Sequence, residues 1–246
     1  MHAFSSNAWL EQMFPKRPWQ SISQTMHGSR NKIWTWLFVP LAAILMPINA
    51  TADGPLVDIQ SVNPTIVVEL RYAGNNNLVK HPLYPQGTRA LARPEVVAAL
   101  TKAQTTLRHY QYGLKIWDAY RPAAVQTKLW QASRNSDYVA NPEVGVGSLH
   151  SWGIAVDATL VDSWNRPVSM PSDFDDFTPA AMWRYTGPSF EVLGHLRLLQ
   201  WAMHRAGFWG MRTEWWHFTV SDWKKFLPEE ARQSAHVEGT QWTGKL

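Results

Sequence analysis

Between Ser148 and Asp157 the chain reads Ser-Leu-His-Ser-Trp-Gly-Ile-Ala-Val-Asp, crossing from a loop with two glycines (Gly145, Gly147) into an apolar run. This stretch sets His150 and Asp157 seven residues apart, and Glu214-Trp215-Trp216-His217 adds a second histidine with a carboxylate three positions before it. Two imidazoles and one carboxylate suit zinc with one coordination position left open. Glu214 is then available as a base beside the metal. The chain has no cysteine, so disulfides and thiol nucleophiles are excluded and any transition-metal site has to come from His, Asp and Glu. On spacing alone a structural explanation stands beside the metal reading, because a loop histidine near a strand aspartate is common. In a regular strand positions 214 and 217 face opposite ways, so Glu214 has to precede the strand or sit at a bulge.

The rest of the chain supplies the frame for these residues. The β-branched run from Ile66 to Tyr72 predicts a strand, and Asn75 to Gly87 a loop. Pro94 opens a helix with Val96, Leu100, Ala103, Leu107 and Tyr110 on one face and Gly113 as its stop. Leu114 to Tyr120 reads as a strand ending at Arg121-Pro122, and Pro122 as the start of a helix to about Arg134. Gly153 to Val161 predicts a central strand carrying Asp157. The Asp-, Pro- and Ser-rich segment 162–188 predicts an excursion over the surface. Ser189 caps a helix to Ala206 with Gly207 as its stop, and Glu214 to Val220 is the last strand. Helices and strands mix without regular alternation, which predicts an α+β fold with an antiparallel sheet.

Ahead of this domain, Ile33 to Ala50 is an apolar run preceded by Arg30 and Lys32 and followed by the small-x-small pattern Ala50-Thr51-Ala52. It reads as a signal peptide over 1–52, with Met26 as a start that would give a leader of ordinary proportions. Pro40 and Pro47, and an apolar centre shorter than the roughly 20 residues a span needs, argue against this run as a stable membrane helix; an uncleaved N-terminal anchor is the alternative, and no stable span is expected after cleavage. The domain then covers 53–233, and 234–246 is a loose tail. The leader holds Lys16, Arg17, Arg30 and Lys32 against Glu11, so removing it takes the net charge from +4 to about +1. A chain this close to neutral has no electrostatic footprint for nucleic acid.

The ordered motifs Ser-x-His-x-x-Gly-x-Ala-x-Asp and Glu-x-x-His resemble the D-alanyl-D-alanine dipeptidase family of zinc D,D-peptidases. Val68-Glu69-Leu70-Arg71-Tyr72-Ala73 resembles that family's early strand, and Asp118-Ala119-Tyr120-Arg121-Pro122 its arginine motif; the likeness spans about residues 57 to 228. The resemblance implies a single zinc D,D-peptidase-like domain, a central antiparallel sheet flanked by helices, and one zinc ion held by His150, Asp157 and His217. It implies Glu214 as catalytic base and Arg121 as the group steadying the polarised carbonyl. Ser148, Asp118 and Tyr72 become candidates for the substrate pocket. Each has a plainer role to set beside this one: a turn serine, an ion pair at a strand end, a tyrosine in the core.

The implied substrate is the small dipeptide D-Ala-D-Ala, and the leader makes the enzyme exported, in the periplasm. A D,D-carboxypeptidase or peptidoglycan endopeptidase, and a non-catalytic module binding wall peptide, are the alternatives; the oligomeric state is left open. Of the two tryptophans between Glu214 and His217, one is expected inward and one toward the site or solvent. His195 and His204 are assigned to packing or surface, and Asp173, Asp175 and Asp176 to a solvated face.

Overall fold

The computed structural model describes residues 55–233. The leader expected at 1–52 and the tail expected at 234–246 lie outside the described residues. No helix among the described residues is long and apolar enough to cross a membrane.

In chain order the elements are β1 (Val57–Asp58), α1 (Ile59–Val62), β2 (Val67–Val68), β3 (Leu91–Ala92), α2 (Pro94–Arg108), β4 (Tyr112–Asp118), α3 (Ala123–Ser133), β5 (Ala155–Asp162), α4 (Phe190–Arg205), β6 (Phe208–Gly210), β7 (His217–Val220) and α5 (Glu229–Gln233). Short 3₁₀ turns at Arg71–Ala73, Leu149–Trp152, Pro179–Ala181 and Trp223–Phe226 fill in between. Five strands form the central sheet in the order β2-β4-β5-β7-β6, while β1 and β3 make a separate antiparallel pair. Every pairing in the central sheet is antiparallel except β2 on β4.

Strand alternation divides the sheet into two chemistries. Leu114 and Ile116 of β4, Val156, Ala158 and Leu160 of β5, and Phe218 of β7 are buried on the face covered by α2 and α4. His195 of α4 marks that coverage: it bonds the Tyr112 hydroxyl at 3.2 Å and the Ser169 carbonyl at 2.9 Å, a packing role. The other face carries Asp157, Thr159, His217 and Thr219, all buried and all polar. α2 is stitched to the sheet by Gln104, which accepts from the Leu114 amide at 2.7 Å and donates to the Thr65 carbonyl at 2.8 Å.

Two expected boundaries move. The strand predicted over Ile66–Tyr72 stops after Val68, and Arg71–Ala73 turns into a 3₁₀ helix. The cause is Asn77, fully buried, whose amide donates to the carbonyls of Arg71, Gly74 and His81 and accepts from the amides of Val79 and Lys80. One side chain thus replaces the sheet as partner for this backbone. The helix from Pro94 ends at Arg108 rather than at Gly113, because Gln111 takes the left-handed turn at φ 65 and Gly113 already lies in β4. The Ser189 cap is present, with Oγ accepting from the Val192 amide at 3.2 Å, and Gly207 turns the chain at φ +99.

Gly153 ends the 3₁₀ turn that carries His150, at φ +67, and a β-carbon there would meet the Leu56 side chain at 2.5 Å. Gly153→Ala should therefore lower stability by about 1–3 kcal/mol, the usual range for a forced left-handed residue. The shift would be read as a lower urea midpoint at unchanged slope, and an unchanged midpoint would show that the turn relaxes freely.

Candidate active site

The register of the three central strands builds the site. Asp157 of β5 stands opposite His217 of β7 on one side and Asp118 of β4 on the other. The second pairing depends on an irregularity in β4 between Ile116 and Asp118, since regular pairing would leave Trp117 opposite Asp157. The extra residue turns Asp118 onto the polar face. His150 arrives from the turn before β5 and is clasped to the end of β4. Its Nδ1–H donates to the Ala119 carbonyl at 2.8 Å, and its own carbonyl accepts from the Arg121 amide at 3.2 Å.

Because a carbonyl can only accept, the proton of a neutral His150 lies on Nδ1 and Nε2 presents a lone pair. The Thr219 hydroxyl, able to donate or accept, lies 3.1 Å from Nε2 of His217 and leaves Nδ1 turned toward Asp157. His150 Nε2, His217 Nδ1 and Asp157 Oδ1 then converge at separations of 3.1, 3.1 and 3.4 Å. Donors about 2.0–2.1 Å from a shared tetrahedral centre stand about 3.3–3.4 Å apart. The three therefore have the spacing of a metal site, and among the described residues they form the one such group. A buried cluster of lone pairs and negative charge is stable only around a proton or a cation. Burial also holds the His217 imidazole below its ordinary pKa, the neutral state a ligand needs. Although burial opposes its charge, His150 and His217 hold the Asp157 carboxyl well below the usual carboxylate range.

Arg121 stands behind this group as a fixed charge. Its Nε and Nη2 both reach Asp118 Oδ2 at 2.8 Å, Nη1 donates to Gln126 Oε1 at 2.9 Å, and Nη2 lies 3.4 Å from Asp157 Oδ2. Gln126 is itself anchored on the Ala140 carbonyl at 2.7 Å, and the Tyr84 hydroxyl takes the second oxygen of Asp118. Asp118 is fully buried and both its oxygens are spent inside the protein, so it positions Arg121 and does not form part of the cavity wall.

The cavity above these groups is lined by Tyr72, Arg121, Ser148, Glu214 and the three converging donors. Glu214 precedes β7 in a turn closed by the His217 amide on its carbonyl at 3.2 Å, which resolves the facing problem posed by its spacing from His217. Among the described residues no hydrogen bond or ion pair engages its carboxylate, and burial, with Asp157 and Asp175 nearby, pushes that carboxyl well above the usual range. Ser148 makes no capping bond to the turn that follows it. Tyr72 spreads its ring under the Arg121 guanidinium, 4.9 Å from its centre, and its hydroxyl donates to Asp175 at 3.3 Å. Trp216 joins the cavity wall while Trp215 packs inward on Ser172.

Asp175 is the residue that sequence reasoning misplaced. Grouped there with Asp173 and Asp176 as a solvated face, it is instead carried by the 162–188 excursion into the cavity, with φ 56. It accepts from the Leu78 amide at 2.8 Å and from Tyr72, and burial, helped by the Asp157 charge, pushes its carboxyl up to about 7. Asp173 is tethered as well, to Asn76 at 3.0 Å and Arg71 at 3.4 Å. No sequence signal separated Asp175 from its neighbours. Thr219 did carry one, since a strand residue two places from His217 must share its face.

A family described as D-ala-D-ala dipeptidase matches residues 52–236 of the chain. The D-alanyl-D-alanine dipeptidase of Escherichia coli (strain K12) is 34% identical over 165 residues, covering 67% of this chain and 84% of that one. The D-alanyl-D-alanine dipeptidase of Enterococcus faecalis is 30% identical over 172 residues, covering 63% and 85%. Among solved structures, VanYB in complex with D-alanine-D-alanine is a distant likeness, at 14% identity and TM-score 0.37 over 64% of this chain and 91% of that one. The chain belongs to the D-alanyl-D-alanine dipeptidase family of zinc metallopeptidases.

Proposed function

We propose that the chain hydrolyses D-Ala-D-Ala to two D-alanines, with His150, Asp157 and His217 as the zinc ligands. The observation that carries this reading is the convergence of three buried donor atoms, 3.1–3.4 Å apart, beside a buried carboxylate with no partner of its own among the described residues. Zinc in such a site supplies a Lewis acid and brings the pKa of a coordinated water to about 7. Glu214 takes a proton from the attacking water and hands it to the leaving amine, a task that fits a carboxylate free of internal bonds. Arg121, permanently charged, held by Asp118 and Gln126 and lining the same cavity, would steady the oxygen on which negative charge develops.

The charges of the cavity suit a short zwitterion. Asp175 has no cation within ion-pair reach among the described residues and offers its carboxylate to a free α-ammonium. Tyr72 walls that end, and the Ser148 hydroxyl is open to the substrate. An acylated amine, as in a longer peptide, would forgo this ion pair with Asp175, which favours the dipeptidase over a carboxypeptidase. With the leader read as an export signal, the enzyme acts outside the cytoplasm, in salvage of wall-derived dipeptide.

The deciding experiment measures zinc per chain and the release of D-alanine from D-Ala-D-Ala, with L-Ala-L-Ala alongside. Zinc near one per chain with hydrolysis of the D,D-dipeptide is the expected result, and a folded, zinc-loaded chain that leaves it intact would sink the reading. Glu214→Gln should lower kcat by about 10²–10⁴ while zinc content stays at the parent level; loss of zinc together with activity would make Glu214 a ligand instead. Arg121→Ala should lower kcat by about 10²–10³, the effect of removing one oxyanion donor. A change confined to KM would instead assign Arg121 to ground-state binding.

A further inference from the structure

The loop between α3 and the His150 turn, and the excursion between β5 and α4, are joined by one aromatic stack. Tyr138 of the first loop and Phe177 of the second lie with ring centres 4.2 Å apart and planes 18° from parallel. Both rings line the cavity, and both are only half-buried, whereas the metal donors, Glu214 and Tyr72 below them are buried. The stack therefore stands where the cavity meets solvent. The Tyr138 loop is pinned to a third segment by the Thr213 hydroxyl, which donates to the Asp137 carbonyl at 3.1 Å. Phe177 follows Asp175 by two residues and lines the same cavity.

We propose that the Tyr138–Phe177 stack is a specificity determinant that closes the cavity behind the substrate's amino terminus and limits it to dipeptides. This rests on the dipeptidase reading above. A peptide ending in D-Ala-D-Ala is longer only on its amino side, and with its ammonium end at Asp175 the extension would meet the stack. The stacked ring faces present apolar surface to a passing peptide backbone, with the Tyr138 hydroxyl as their one polar group, where a groove for longer chains would need several donors and acceptors.

The test compares the zinc-loaded chain with Tyr138→Ala, Phe177→Ala and Tyr138→Phe, using D-Ala-D-Ala and a tripeptide ending in D-Ala-D-Ala. Each alanine variant should raise the tripeptide-to-dipeptide ratio of kcat/KM by about tenfold or more, the scale of opening one pocket contact. Tyr138→Phe keeps the ring and should keep the parent ratio. Calorimetric binding of the same two peptides, with each ring substitution repeated in a Glu214→Gln background, reads the ratio without turnover. Phe177→Leu, which keeps apolar volume but loses the flat face, serves if the alanine variants unfold. Unchanged ratios in folded, zinc-loaded variants overturn the closure. A parent that binds the dipeptide without cleaving it overturns the dipeptidase reading, and the calorimetric ratio then decides the closure by itself. A parent that binds neither peptide overturns both.

Discussion

Asp157 lies in the central strand with 2% of its surface exposed, and its two oxygens divide the site between them. Oδ2 faces the Arg121 guanidinium, while Oδ1 faces the two imidazoles. A carboxylate so deep in a sheet is tolerable only when cations meet it on the sides that water has left. Arg121 can serve on one side because Asp118, Gln126 and the Tyr72 ring hold it in place. The other side, shared with two imidazoles, is a donor set that could hold a metal ion. The irregularity in β4 belongs to the same requirement, because without it Asp118 would point away and Arg121 would lose its anchor.

The groups of the site differ in how firmly they are mounted. Asp157 and His217 stand on paired strands, and His150 is clasped to the end of one, so the donor set inherits the rigidity of the sheet. The groups that would meet a substrate come from segments outside the sheet. Tyr72 depends on the loop organised by Asn77, and Asp175 and Phe177 on an excursion tied down by Asn76, Arg71 and Leu78. With a fixed donor set under loop-borne walls, the walls can change without disturbing the donors.

Much of this was legible before folding was considered. His150, Asp157, Glu214 and His217 stood out as candidates by residue type and spacing, the absence of cysteine left few other ligand sets, and the family resemblance set the metal reading above the structural one. The helices from Pro94 and Ser189 and the strand through Asp157 followed from periodicity and caps. Asp118 was readable only as a residue with several roles. Choosing among them needed the observation that Tyr84, thirty-four positions earlier, takes one of its oxygens while Arg121 takes the other. Asp175 was unreadable, because an aspartate in a run of acids looks solvated whatever the chain later does with it.

The sequence by itself determined which chemistry was available: the donor types, the spare carboxylate, the permanent charge at Arg121 and the alternation of polar and apolar residues along β5. Local propensities carry that much because they act over a few residues. Only the tertiary structure decided the register that sets Asp118, Asp157 and His217 in one row, the Ala119 carbonyl that fixes the His150 tautomer, the Thr219 hydroxyl against His217, and the arrival of Asp175 and Phe177 from a distant loop. These are contacts between residues far apart in the chain. Their free energy comes from burial and desolvation in the assembled fold, and no single segment contains it.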